Sequence, residues 1–144
     1  LAIHTADCAP VVIIGSGAIG VAHVGWRGIV AGVVPATVHA IRRIGADGPL
    51  SAHLGPCIRA DSYEFGLDEL DAVAAVAGDS VRGVTIDGRP ALDMGAAVAA
   101  VWSELATDAV IDSGLDTARP DFFSHRTRAD RGRQATVVWL EVLS

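Results

Sequence analysis

Lysine is absent from these 144 residues, so every positive side chain is an arginine, and eleven arginines face seventeen acids for a formal charge of −6. A nucleic-acid surface normally shows a basic stripe and a positive total, which argues against that class of partner. No apolar run reaches the roughly 18 residues of a membrane span, so no membrane partner is expected. The chain does not begin with Met, and no basic stretch leads into a cleavage site as a secretory signal would. With only two cysteines, Cys8 and Cys57, and no such signal, free thiols in a reducing cytoplasm are expected rather than a disulfide. Internal repeats, low-complexity tracts and linkers are lacking too.

What is present is a chain of single-domain length, 51% hydrophobic with a mean hydropathy of +0.41, much of it Ala, Val and Gly. Its start, "LAIHTADC", reads as the interior of a sheet. "APVVIIGS" and "AIGVAHVG", broken at Gly15-Ser16-Gly17, predict a hairpin. A helix follows over "IVAGVVPATVHAIRRIG", where Pro35 must kink it or mark its true first turn. "LSAHLGPCI" predicts a strand stopped by Pro56. "SYEFGLDELDAVAAVAG" predicts a turn and a helix, and "GVTIDGRPALDM" a hairpin with Asp87-Gly88 as a two-residue turn. "MGAAVAAVWSELATDAV" predicts a buried, Ala-rich helix. "RQATVVWLEV" predicts a final strand, reached through an arginine-rich hairpin tip carrying Arg126, Arg128, Arg131 and Arg133. Hairpins mixed with crossovers indicate an α/β, or mixed α+β, fold rather than a regular doubly wound sheet.

The densest chemistry lies in "HTADCAPVVIIGSGAIGVAHVGWRG". Cys8 precedes the first strand of the predicted hairpin and His23 closes the second, so the hairpin can bring thiol and imidazole together. Arg27 follows in a Gly-Trp-Arg-Gly turn before a helix, where a guanidinium and free backbone donors suit a phosphate. Each of these residues also has a structural reading. Cys8 can be a small buried hydrophobe, His23 a satisfied structural histidine, and Trp26 a packing residue rather than a stacking platform. Arg27 can cap carbonyls or pair with Asp7, while Tyr63, Glu64 and Phe65 either line a pocket or anchor a loop. His39 and His53 carry no motif.

Five strings, "TADCAPV", "AHVGWRG", "GPCI...YEFG", "LDM" and "FFSHR....GRQ...VWL", occur in an order and spacing that resemble the YfiH family, labelled multicopper polyphenol oxidase or laccase-like. The resemblance covers nearly the whole chain. It implies a mixed-sheet sandwich with flanking helices, similar to the cytotoxin-like cysteine hydrolase fold. It also implies a purine nucleoside phosphorylase with adenosine deaminase activity. Zinc or copper held by one cysteine and two histidines would place Cys8 and His23 as metal ligands. The other family histidine lies upstream of "TADC", so residues 1–144 are expected to form a single domain that is the larger, C-terminal part of a longer family domain. His4 could substitute only if it shared a strand with Cys8, where the even offset would put both on one face.

On that resemblance the catalytic candidates are Cys8, His23, Arg27 and His125. The substrate-binding candidates are Asp7, Trp26, Tyr63, Glu64, Phe65 and Arg126. Asp7 and Glu64 are the carboxylates available to shuttle protons in a zinc-type deamination. The small-molecule partners are a purine nucleoside and phosphate. Two rival classes stand beside this one: a metal-free hydrolase or deamidase with Cys8 as nucleophile and His23 as base, and an inactive remnant of the family. Multicopper oxidation ranks last, because several copper centres need more than five scattered histidines.

Overall fold

The computed structural model describes residues 1–105 and 109–141. Its centre is a four-stranded mixed sheet in the order β3-β2-β4-β7, made of β2 (Ala9–Ser16), β3 (Ala18–Val24), β4 (Asp47–Leu54) and β7 (Ile111–Asp112). β2 is antiparallel to both of its neighbours, and β7 joins β4 in parallel. That central position explains its sequence: Ala9 to Ile13 are all buried, as a strand covered on both faces reads as an unbroken apolar run. The predicted hairpin forms, with Gly15 opposite Ala18 and Gly17 at φ +75° in the turn. Gly15 is required by packing, since a Cβ there would sit 2.7 Å from Leu50 and 2.9 Å from Ala46.

The single helix expected from Ile29 to Gly45 is two helices, α1 (Trp26–Val30) and α2 (Val33–Arg43). They meet at Gly32, whose φ of +74° costs a glycine least. Pro35 lies in the first turn of α2, where its missing N–H is no loss. Arg42 then closes the far end by donating to the Ala46 carbonyl at 2.8 Å. α3 (Leu67–Ala77) follows a short 3₁₀ turn, and β5 (Arg82–Val84) pairs with β6 (Pro90–Leu92). That hairpin is joined by a five-residue loop, not the expected two-residue one. Val84 pairs with Pro90, and the turn from Thr85 to Gly88 closes inside the loop.

α4 (Met94–Ser103) is capped by Asp93, whose carboxylate accepts from the Ala96 N–H at 2.9 Å. It buries Met94, Ala97, Val98, Val101 and Trp102 at the heart of the core. The helix stops well short of the expected Val110, and residues 106–108 of that expectation lie outside the described ones.

Three expectations towards the chain ends need correction. β1 (Ala2–Thr5) is not sheet interior; among the described residues it pairs with β8 (Gln134–Val137) alone, in a two-stranded ribbon, so its residues are largely exposed. The final strand is therefore shorter than "RQATVVWLEV", whose residue 142 lies outside the described ones. The arginine-rich tip is a one-turn helix, α5 (His125–Arg128), closed by Ala129 at φ +53°. The ribbon crosses the end of the central sheet, where a Cβ on Gly55 would meet both Pro10 and Thr136. No helix among the described residues is long and apolar enough to cross a membrane.

Candidate active site

The register of the β2–β3 hairpin places Cys8 and His23. Ala9 faces Val24 and Pro10 faces His23, so one further step sets Cys8 opposite Gly25. Facing residues point to one side of a ladder and next-but-one residues share a face. Cys8 and His23 are therefore diagonal neighbours on one surface, about 7 Å apart by backbone geometry. Gly25 leaves room for the thiol, because a Cβ there would lie 3.0 Å from the Cys8 sulfur. Burial, and then the charge of Asp7, push the Cys8 thiol above its ordinary range, while Arg133 pulls the other way.

The strand end opens into a cleft of about 370 Å³ lined by Ala6, Asp7, Cys8, His23, Gly25, Trp26, Arg27, Tyr63, His125 and Arg126. Four chain segments thus converge on one site. Two of the arginines are set in the same way. The Arg27 guanidinium lies 4.2 Å over the Trp26 ring and that of Arg126 4.6 Å over the Tyr63 ring. The two rings are joined through Phe65, edge-on to Trp26 at 5.7 Å and to Tyr63 at 5.0 Å. Arg126 also donates to the Glu64 carbonyl at 2.7 Å. Trp26 and Tyr63 therefore support guanidiniums on their faces. Burial drives the Tyr63 hydroxyl up to about 12, against the pull of Arg126, so it stays protonated at neutral pH. Arg27 pairs with neither Asp7 nor any other acid among the described residues.

Glu64 and Phe65 line an adjoining groove that shares Trp26, Arg27 and Arg126 with the cleft. The Glu64 carboxylate is exposed, pairs with Arg89 and lines this groove and the next, not the cleft of Cys8 and His23. Asp7 lines the cleft, but both of its oxygens are engaged: one accepts from the Thr117 hydroxyl at 2.7 Å, the other from the Arg126 backbone N–H at 2.6 Å. His125 opens α5 with its ring exposed beside the cleft, and Ser124 caps that turn by accepting from the Thr127 N–H.

The residues suit only part of a metal site. Thiolate and imidazole are ordinary zinc ligands, and a catalytic zinc takes three protein ligands and a water. Cys8 and His23 are two such donors on one face. Among the described residues no three His, Cys, Asp or Glu side chains gather to hold an ion. His4 does not meet the condition for substituting, since β1 ends at Thr5, before the turn that carries Cys8.

Sequence reasoning missed Gly25, Thr117 and Arg128. Arg128 donates to the carbonyls of Thr117, Ala118, Arg119 and Phe122 and pairs with Asp130, which fastens the loop behind the cleft. The "GWRG" string contains the signal for Gly25, next to a strand end that faces a cysteine. A threonine in a loop carries no comparable signal.

This mixed α+β architecture recurs in solved structures. A Neisseria meningitidis protein of the DUF152 family superposes with a TM-score of 0.79 at 30% identity, over 93% of this chain and 57% of that one. Bacillus licheniformis YfiH has the same fold, with a TM-score of 0.81 at 24% identity over 94% of this chain and 55% of its own. Residues 1–141 match the family described as multi-copper polyphenol oxidoreductase laccase, the YfiH/DUF152 family, and the chain belongs to it. Its relatives include proteins named purine nucleoside phosphorylase: one from Streptomyces coelicolor is 39% identical over 98% of this chain and 60% of its own length. Another, from Mycobacterium tuberculosis, is 34% identical over 98% of this chain and 58% of its own. The chain spans somewhat over half the length of these relatives.

Proposed function

We propose that the cleft serves phosphorolysis of a purine nucleoside to the free base and ribose 1-phosphate. The observation that carries this reading is the pair of guanidiniums, Arg27 and Arg126, each laid on an aromatic ring and both flanking the cleft that holds Cys8 and His23. Planar forks suit phosphate oxygens, and the aromatic supports restrict their motion before the anion arrives. The names of the relatives agree with this reading.

In the proposed reaction a phosphate oxygen forms a bond to C1′ of the ribose as the bond from C1′ to the purine nitrogen breaks. The electron pair leaves with the purine. His125, on the exposed side of the cleft, protonates the leaving base and recovers its proton from the hydrogen phosphate. Arg27 and Arg126 hold the phosphate beneath a sugar that is acquiring positive charge.

Deamination of adenosine is proposed as a second activity of the same cleft. A metal, zinc or copper, would be held there by Cys8 and His23, with its remaining protein ligand not among the described residues. The rival metal-free reading would use Cys8 as nucleophile and His23 as its base.

Steady-state kinetics with inosine and varied phosphate test the reading. Arg27→Ala and Arg126→Ala should each raise KM for phosphate about tenfold or more, as expected for loss of a charge-assisted contact. Unchanged phosphate dependence in both variants would remove the assignment.

A further inference from the structure

Among the described residues two that are not glycine have positive φ: Asp7 at +84°, which lines the cleft, and Ala129 at +53°, which closes α5. Such backbone costs energy and persists only where its surroundings hold it. At Asp7 the holders are explicit. Its carbonyl accepts from the Ile58 N–H at 3.0 Å. Its side chain, 7% exposed, accepts from Thr117, which is fully buried, and from the backbone of Arg126. Thr117 is itself fixed, its N–H donating to the Cys57 carbonyl at 3.2 Å beside the bridge between Cys57 and Asp116.

One carboxylate therefore joins three segments: the turn that ends in Cys8, the loop at Thr117, and α5 with His125 and Arg126. Cys8 follows directly in the chain, its sulfur fitted against Gly25. Arg126 is the residue whose own N–H is bound. From this we infer that Asp7, held by Thr117, is a positioning residue that sets Arg126 across the cleft from Cys8, and that Thr117 is required for phosphate use without touching substrate. The role in phosphate use rests on the proposed phosphorolysis; the placement of Arg126 does not.

Thr117→Val keeps the shape of the side chain and removes the hydroxyl donor, and Thr117→Ser restores the donor. A hydrogen bond to a charged, buried group is worth a factor of about ten or more in an equilibrium. In Thr117→Val, amide hydrogen exchange at Arg126 and its neighbours in α5 should quicken about tenfold while β2 and β3 remain protected. kcat/KM for phosphate should fall by a similar factor, and Thr117→Ser should recover both.

Unchanged exchange at Arg126 in Thr117→Val would overturn the inference. Equal loss of protection in β2 and β3 would also overturn it, by reducing Thr117 to a general packing role. Normal phosphate kinetics in Thr117→Val with altered exchange would remove the functional half. If the exchange pattern follows expectation but the unaltered protein cleaves no nucleoside, the positioning role stands and the proposed reaction falls.

Discussion

At the scale of single residues, the site depends on what small side chains leave free. Gly25→Ala would place a Cβ 3.0 Å from the Cys8 sulfur, so the thiol must give by a few tenths of an ångström. The variant should lose roughly 1–3 kcal/mol of stability, the usual cost of overpacking, and its Cys8 should alkylate at a changed rate in an iodoacetamide time course. Cys8, His23, Trp26 and Arg27 were legible as a constellation because the hairpin that gathers them is local and strongly patterned. The long-range contacts were not legible: Asp7 reaches Thr117 across 110 positions and Arg126 across 119. No periodicity or spacing signals a carboxylate that finds its partners by tertiary folding.

At the scale of elements, most predicted segments exist, and the errors fall where a boundary depends on tertiary partners. The β2–β3 hairpin and α3 follow from apolar pattern and glycine placement. The division of α1 from α2 was foreshadowed by Pro35, but its position depends on Gly32 taking a left-handed conformation. Gly32→Ala should cost about 1 kcal/mol, because alanine meets strain there; a chemical denaturation midpoint would show it. Trp102 is the largest side chain that α4 buries completely, and Trp102→Ala should cost about 3–5 kcal/mol, read in the same experiment. β1 misled because a β-branched opening resembles a central strand, whereas among the described residues it pairs with β8 alone.

At the scale of the whole molecule, the parallel joint between β4 and β7 is held by a charged clasp. Arg59 donates through both terminal nitrogens to Asp112, at 2.7 and 2.6 Å, and through Nε to the Leu115 carbonyl. The Arg59 hydrogen bonds, aided by the Gly114 N–H, hold the Asp112 carboxyl below its ordinary value against the opposing effect of burial. A folded-state value below the unfolded one contributes stability that is present above about pH 4 and is lost as pH falls through the folded value. Because the pair is partly exposed, its worth is about 1 kcal/mol or less. Asp112→Asn should therefore be less stable than the parent at pH 7, and in parallel urea titrations the gap should narrow as pH falls below about 4 and close once the folded carboxyl is protonated.

The central claim is that this cleft breaks a nucleoside with phosphate rather than water. Incubating inosine with the purified protein, with and without phosphate, and separating the products by chromatography tests it most directly. The account predicts hypoxanthine and ribose 1-phosphate in equal amounts, formed only when phosphate is present. Free ribose, or base released at the same rate without phosphate, would contradict it.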